Sequence, residues 1–282
     1  MYGNVDGWSD LLWPHRWALY SFDAYINGAR VYDYTFELTE SSYFTAGVLC
    51  HEFFHVLGAP DLYHYNNTGA PDAVGGWDLM ESTSNPPQYM GAFLKWKYGD
   101  WIPEIPEITS TGTYTLNPLQ EPENSSYKIA SPNSDTEYYV LEYRVKEGAY
   151  DSNTPGSRDG LLVYRINTEA GNGNAQGPPD EVYLYRPGGT LTSQGSFVSA
   201  PYNSVWSHTE LNDFTNPEPF LYNNGNGGPG GLNLLNVGAG GETITFTISM
   251  GAPTIELDQS SILFEMAPNE FQSKNIVLSN GG

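Results

Sequence analysis

Residues 51 to 61 read His-Glu-Phe-Phe-His-Val-Leu-Gly-Ala-Pro-Asp, and no other stretch narrows the fold as far. His51 and His55 are four residues apart, so a helix places them one turn apart on the same face. Two imidazole nitrogens can then converge on one metal ion. Glu52, beside the first ligand, can reach a metal-bound water as general base. Gly58 lets the chain leave the helix, since glycine accepts the positive φ of a C-terminal cap. Asp61 comes next, and a carboxylate oxygen is an acceptable zinc ligand. The plain alternative is an ordinary core helix that happens to carry two histidines and a glutamate. That reading is costly. The flanking run is apolar (Val48, Leu49, Cys50, Phe53, Phe54, Val56, Leu57). Three buried polar groups without partners would cost several kcal/mol, and a metal removes the penalty. The ligand set read from the sequence is therefore His51, His55 and Asp61 on Zn²⁺, with Glu52 catalytic.

The chain beyond the helix extends the pattern. Asp61 lies ten residues after His51, where the metzincin pattern has its third histidine. Metzincins also place a methionine in a tight turn beneath the metal. Met80, in Gly76-Trp77-Asp78-Leu79-Met80, fits that place, although the same residue would serve as ordinary core filling.

Four segments together resemble the secreted bacterial metalloproteases of the immune inhibitor A type. Trp13-Pro14-His15-Arg16 is similar to the family's Trp-Pro-His segment ahead of the catalytic helix. His51 to Tyr63 resembles its zinc helix with Gly-x-Pro-Asp-x-Tyr, and Gly76 to Met80 its methionine turn. Lys95 to Ile102 resembles its Lys-x-x-x-Gly-Trp end, with one residue inserted between Gly99 and Trp101. Two β-rich stretches, Glu137 to Arg144 and Gly160 to Tyr164, agree but carry little information singly. The similarity spans about residues 10 to 250. It implies a zinc-dependent endopeptidase acting on extracellular proteins or peptides, secreted, with a propeptide in its precursor. The family's amino-terminal strands and propeptide have no counterpart here, so the chain is expected to be a piece of a longer precursor, truncated at both ends and not a complete protease.

The charge balance limits the partners. Eleven Lys and Arg stand against 33 Asp and Glu, a net charge of −22, which would repel phosphate and excludes a nucleic-acid binder. Aromatic residues make up 14% of the chain, too many for a disordered acidic segment. Cys50 is the single cysteine, so no disulfide framework exists. Its plain role is a small hydrophobe beside the first zinc ligand. A latency-switch thiol is the sharper alternative, but such a thiol belongs on a removable segment. No apolar stretch is long enough to span a membrane, and Met1-Tyr2-Gly3-Asn4 does not begin a signal peptide.

The expected architecture is α+β. A partial metzincin-like protease domain occupies residues 1–106, an antiparallel β-sandwich 107–251, and the start of an immunoglobulin-like module 252–282. In the first, Trp17 to Ile26 and Arg30 to Thr39 read as paired strands, and a second helix is expected from about Pro87 to Tyr98. Pro103 and Pro106 mark the boundary. Strands follow at Thr113 to Leu116, Tyr138 to Val145, Gly160 to Ile166, Glu181 to Tyr185 and Thr243 to Ser249, at sandwich-like spacing. Ser261 to Phe264 and Asn275 to Leu278 look like strands of the last module.

Weaker constellations complete the reading. Tyr63, Tyr65 and Tyr89 are each candidates to hydrogen-bond the oxyanion. His15 belongs to the wall of the site, and His64 to a solvated loop. Asp151, Asn153 and Asp159 surround a Pro-Gly turn; oxygen ligands at that density suit Ca²⁺, and a solvated turn accounts for them equally. Two other functional classes stay open: a non-peptidase zinc hydrolase with the same ligands, and an inactive zinc-binding or adhesion module of a larger secreted protein. The retained Glu52, which mere metal binding does not need, argues against the second. Gly58 and Met80 argue against the first.

Overall fold

The computed structural model describes residues 13–37, 44–66 and 69–251, and beyond them residues 255–257, 273 and 278–280. Strand β1 (His15–Ala18) pairs antiparallel with β4 (Asp33–Phe36), His15 opposite Phe36. Between them β2 (Ala24–Ile26) and β3 (Ala29–Val31) form a hairpin closed by Asn27-Gly28. Both loop residues have positive φ (50° and 80°), the conformation a two-residue hairpin loop needs and the reason Asn-Gly serves there. The two paired strands expected from the sequence are thus one long, twice-paired hairpin; Leu38 and Thr39 lie outside the described residues.

Helix α1 (Ala46–Val56) carries the first part of the zinc motif. The Thr45 side chain caps it by accepting from the Val48 N–H at 3.3 Å. Near its start it runs so close to Ser84 that a Cβ at Gly47 would overlap the Ser84 carbonyl. The helix is not buried all round. His51 and Glu52 are enclosed, whereas Leu49, Phe53 and Leu57, a stripe at spacing four, are 41–55% exposed. Helix α2 (Ala92–Lys97) is shorter than the twelve-residue pattern implied. Residues 87–91 are drawn out of it by competing bonds. The Gln88 amide donates to the Ser82 carbonyl, Tyr89 N–H to the Asp151 carboxylate at 3.0 Å, and Gly91 N–H to Asp78 at 2.7 Å.

The remainder is antiparallel sheet. One sheet has the order β6 (Ser126–Ala130), β7 (Glu137–Arg144), β8 (Gly160–Asn167), β9 (Val182–Leu184). The other has the order β10 (Leu234–Leu235), β11 (Ile244–Ile248), β5 (Gly112–Leu116). Strands β7 and β8 are buried along nearly their whole length, because both faces are covered. On one face Tyr143 donates to the Gly241 carbonyl at 3.0 Å, toward the second sheet. On the other, Glu142 accepts from the α2 residue Ala92 at 2.6 Å. Among the described residues one hydrophobic core runs from Trp77, Met80 and Phe93 through Leu141 and Leu162 to Phe246. Beyond residue 251, β12 (Ile255–Leu257) pairs antiparallel with β13 (Leu278–Asn280). The expected strand at Ser261 to Phe264 lies outside the described residues.

Between α2 and the four-stranded sheet sits a buried ionic network. Arg144, 1% exposed, donates to both oxygens of Asp151 (2.7 and 2.6 Å) and to Glu142 at 2.9 Å. Asp151 is therefore saturated by a guanidinium, and Asn153 donates instead to the Pro86 carbonyl at 3.2 Å. The calcium expectation at Asp151, Asn153 and Asp159 finds no support: the fork of Arg144 engages both Asp151 oxygens.

Candidate metal centre

Helix α1 ends in a way that sets the second histidine. Leu57 is the cap, Gly58 follows at φ 102°, and two reverse bonds close the end: Gly58 N–H to His55 O at 3.1 Å, and Ala59 N–H to Phe54 O at 3.0 Å. This is a Schellman motif, and only glycine takes its left-handed position without penalty. The turn brings the Ala59 carbonyl back over the helix, where it accepts from His55 Nδ1 at 2.7 Å. His51 Nδ1 is held in the same manner by the Leu79 carbonyl at 2.9 Å. With both Nδ1 protons given to carbonyls, each Nε2 is left to face inward.

The turn that carries Leu79 is itself fixed. The Asp78 carboxylate accepts from Met80 N–H at 2.8 Å and from Gly91 N–H at 2.7 Å. Burial pushes the Asp78 carboxyl up to about 6, against the pull of those two N–H groups. Met80 is fully buried, and its carbonyl accepts from Leu62 N–H at 2.9 Å, beside Asp61. Consecutive carbonyls of one turn thus hold His51 on one side and the Asp61 segment on the other. That is the physical content of Met80 as a supporting residue.

The two Nε2 atoms are 3.2 Å apart, and Asp61 Oδ1 lies 3.1 Å from the first and 3.3 Å from the second. Four tetrahedral ligands at about 2.0–2.2 Å from zinc lie about 3.3–3.6 Å from one another. The observed triangle matches that size within a few tenths of an ångström. Its electrostatics point the same way. Asp61 is 5% exposed, and its Oδ1 has no hydrogen-bond partner. Three electron-rich atoms converging in a buried site repel unless a cation sits among them. Burial raises the Asp61 carboxyl, but contact with His51 and His55 more than reverses this, and the group stays well below the usual carboxylate range. His51, His55 and Asp61 are the one group of this kind among the described residues. The donor set, two nitrogens and one carboxylate oxygen, suits zinc and leaves a fourth position open.

Glu52 lines the same cleft, of about 810 Å³, with His15, Trp17, Tyr63 and Tyr65. Burial holds its carboxyl above the normal range, against His51, His55 and the Arg16 N–H. His15 forms part of the wall, stacked on Phe36 at 5.5 Å. The three tyrosines separate. Tyr65 donates its hydroxyl to Asp61 Oδ2, which leaves Oδ1 for the metal. Tyr63 lies along His51, ring centroids 6.4 Å apart, and faces the cleft. Tyr89 is not at the site: it packs under Lys95 and against Tyr150, beside Asp151. His64, expected in a solvated loop, is instead paired with Asp180 of the β8–β9 connection at 2.6 Å.

Residues 3–93 match the family model described as immune inhibitor A peptidase M6, catalytic domain. The resemblance to the immune inhibitor A type holds. The matched stretch contains the helix, all three candidate ligands and the methionine turn. Immune inhibitor A of Bacillus thuringiensis subsp. alesti is 29% identical over 115 residues, covering 33% of this chain and 16% of that protein. The pre-pro-metalloprotease PrtV of Vibrio cholerae serotype O1 is 32% identical over 94 residues, covering 29% of this chain and 10% of that protein. These matches span only about a tenth to a sixth of the length of the curated relatives. No solved structure matches the chain. The matched model is that of a peptidase catalytic domain, and PrtV is named a metalloprotease.

Sequence reasoning missed the part that comes from the four-stranded sheet. The connection between β8 and β9 lies along the Asp61–Tyr65 segment, and Asn172 lines the cleft itself. The only signal in the sequence was a run of Gly and Asn at 171–174, which reads as a loop and names no neighbour.

Proposed function

We propose that this chain carries the centre of a secreted zinc endopeptidase of metzincin-like build, with His51, His55 and Asp61 as ligands and Glu52 as general base. One observation carries the reading: three donor atoms, on buried His51 and Asp61 and half-buried His55, form a triangle of zinc's dimensions, and both imidazoles are oriented by carbonyls bound to Nδ1. Zinc held there would polarise the scissile carbonyl and acidify a water. Glu52, beside the ligands and with a raised pKa, takes the proton of the attacking water and delivers it to the leaving amine. The products are a carboxylate and a free amine. Tyr63, which lines the cleft beside His51, is the tyrosine we assign to the oxyanion. Protein or peptide substrates, an extracellular setting and a propeptide in the precursor follow from the likeness to immune inhibitor A and PrtV. Residues 107–251 act as a sandwich domain that supports the site and carry no chemical step.

The test is digestion of a protein substrate by the precursor form containing this chain. Chelation is expected to abolish turnover, and Glu52→Gln to retain zinc while losing nearly all activity. Full turnover by a zinc-loaded Glu52→Gln protein would refute the assignment.

A further inference from the structure

We infer that the β8–β9 connection of the sandwich is a clamp that positions the third metal ligand, with Asn174 as its key positioning residue. The inference rests on the zinc reading of the site and deepens it. The segment Asp61–Tyr65 carries both the ligand Asp61 and the tyrosine that orients it. It is gripped at both ends. Asn174 N–H donates to the Asp61 carbonyl at 2.9 Å, and Tyr65 N–H donates to the Ala175 carbonyl at 2.9 Å. Between these bonds His64 meets Asp180 at 2.6 Å. Residues more than a hundred positions away in sequence therefore fix the backbone of the ligand loop.

The clamp is built rather than incidental. Asn174 is fully buried, and its amide bridges one residue of β9: it donates to Val182 O at 2.8 Å and accepts from Val182 N–H at 3.0 Å. Both ends of the amide are used, so its position is tied to the sheet. Gly173 sits at φ 71° against Pro60 and Asp61. A Cβ there would overlap the Asp61 carbonyl oxygen and lie 2.6 Å from Pro60 Cβ, so only glycine permits the approach. Its N–H donates to Glu181 at 2.6 Å, a carboxylate 1% exposed that also receives Lys97 and, at 2.8 Å, the Tyr98 hydroxyl. The loop is thus anchored to β9 and to α2 before it touches the ligand segment. On helix α1 the two histidines need no such help, because the helix and two carbonyls hold them. Asp61 is the ligand that lies on irregular chain, and a ligand on irregular chain needs its backbone fixed from outside.

Outer-shell partners of metal ligands are typically worth 10–100-fold in metal affinity. The experiment measures the zinc dissociation constant of the whole chain by competition with a chelating dye. The proteins are the wild type, Asp61→Ala, Asn174→Ala, Asn174→Asp and, as a control on the same loop, Gln176→Ala. Circular dichroism at the assay temperature reports folding. Asp61→Ala should bind zinc much more weakly than the wild type, which tests the ligand reading alone. Asn174→Ala should bind about tenfold or more weakly with an unchanged folded spectrum. Asn174→Asp, which keeps the acceptor but loses the donor to Val182, should fall between. Gln176→Ala should match the wild type. A cobalt(II) spectrum altered in Asn174→Ala and unaltered in Gln176→Ala would show the ligand field itself disturbed, which loss of stability alone does not do. Wild-type affinity in folded Asn174→Ala overturns the clamp while leaving the zinc reading intact. Should Asn174→Ala fail to fold, Asn174→Asp decides by the same measurement. A wild-type chain that takes up no zinc overturns both.

Discussion

Tyr65→Phe separates two roles for one hydroxyl. From the sequence, Tyr65 is one of three candidates to hydrogen-bond the oxyanion; in the structure its hydroxyl is given to Asp61 Oδ2. A hydrogen bond to a charged group is typically worth about 1.5–3 kcal/mol. Tyr65 is 57% exposed, so water can partly replace the lost donor, and the low end of that range applies. About 1.4 kcal/mol corresponds to a tenfold change in an equilibrium constant. Tyr65→Phe is therefore expected to weaken zinc binding about tenfold, and to leave kcat of the fully zinc-loaded protein within a few-fold of wild type. The assay pairs chelator competition with initial rates of peptide cleavage at saturating zinc. An unchanged zinc affinity with a loss of kcat near a hundredfold would restore the oxyanion role and refute the reasoning from geometry.

The buried network should be the most sensitive point for stability. Arg144→Met leaves Glu142 and Asp151 charged and unpaired, at about 3–5 kcal/mol, and a thermal melt should fall by roughly 6 °C or more; a change under about 2 °C would contradict the pairing. Two glycines around the zinc helix should behave differently for different reasons. At Gly58 there is open space but a left-handed backbone, so Gly58→Ala should cost about 1–2 kcal/mol and disturb the Ala59 carbonyl that orients His55. At Gly47 the backbone is helical but Ser84 blocks a Cβ, so Gly47→Ala should cost about 1–3 kcal/mol through displacement of the helix. Denaturant unfolding measures both; a neutral result at either position would show that the chain relaxes where the geometry says it cannot.

The helix was legible because its signal is periodic and local. Spacing four puts His51 and His55 on one face, and Gly58 ends the helix where a positive φ is required. The long strands were legible for the same reason: β7, β8 and β11 are local runs rich in aromatic and aliphatic residues, within a residue or two of their expected bounds. The short β10 and the strand β6 carry too little pattern to stand out. The second helix is shorter than the expected Pro87 to Tyr98 because that stretch begins with Pro87 and contains Gly91, both poor helix formers, and because Asp78, Asp151 and Ser82 bind its backbone and side-chain groups. Long-range partners of that kind leave no trace in a local window. Nor did the cluster around Asp151 betray itself. Carboxylates near a turn look alike whether their partner is water, calcium or Arg144, and only the fold brings the guanidinium in. The same blindness hid Gly173 and Asn174, whose neighbour Asp61 lies more than a hundred residues earlier.

The most direct measurement is the metal coordination itself, by metal analysis and X-ray absorption on the purified chain after zinc loading. One zinc per chain is expected, with two imidazole nitrogens and one carboxylate oxygen among its ligands at about 2.0–2.2 Å, and with loss of the ion in His51→Ala and His55→Ala. Zinc bound by a sulfur ligand, a third imidazole or a carboxylate that survives Asp61→Ala would contradict the triangle of His51, His55 and Asp61, as would a chain that binds none.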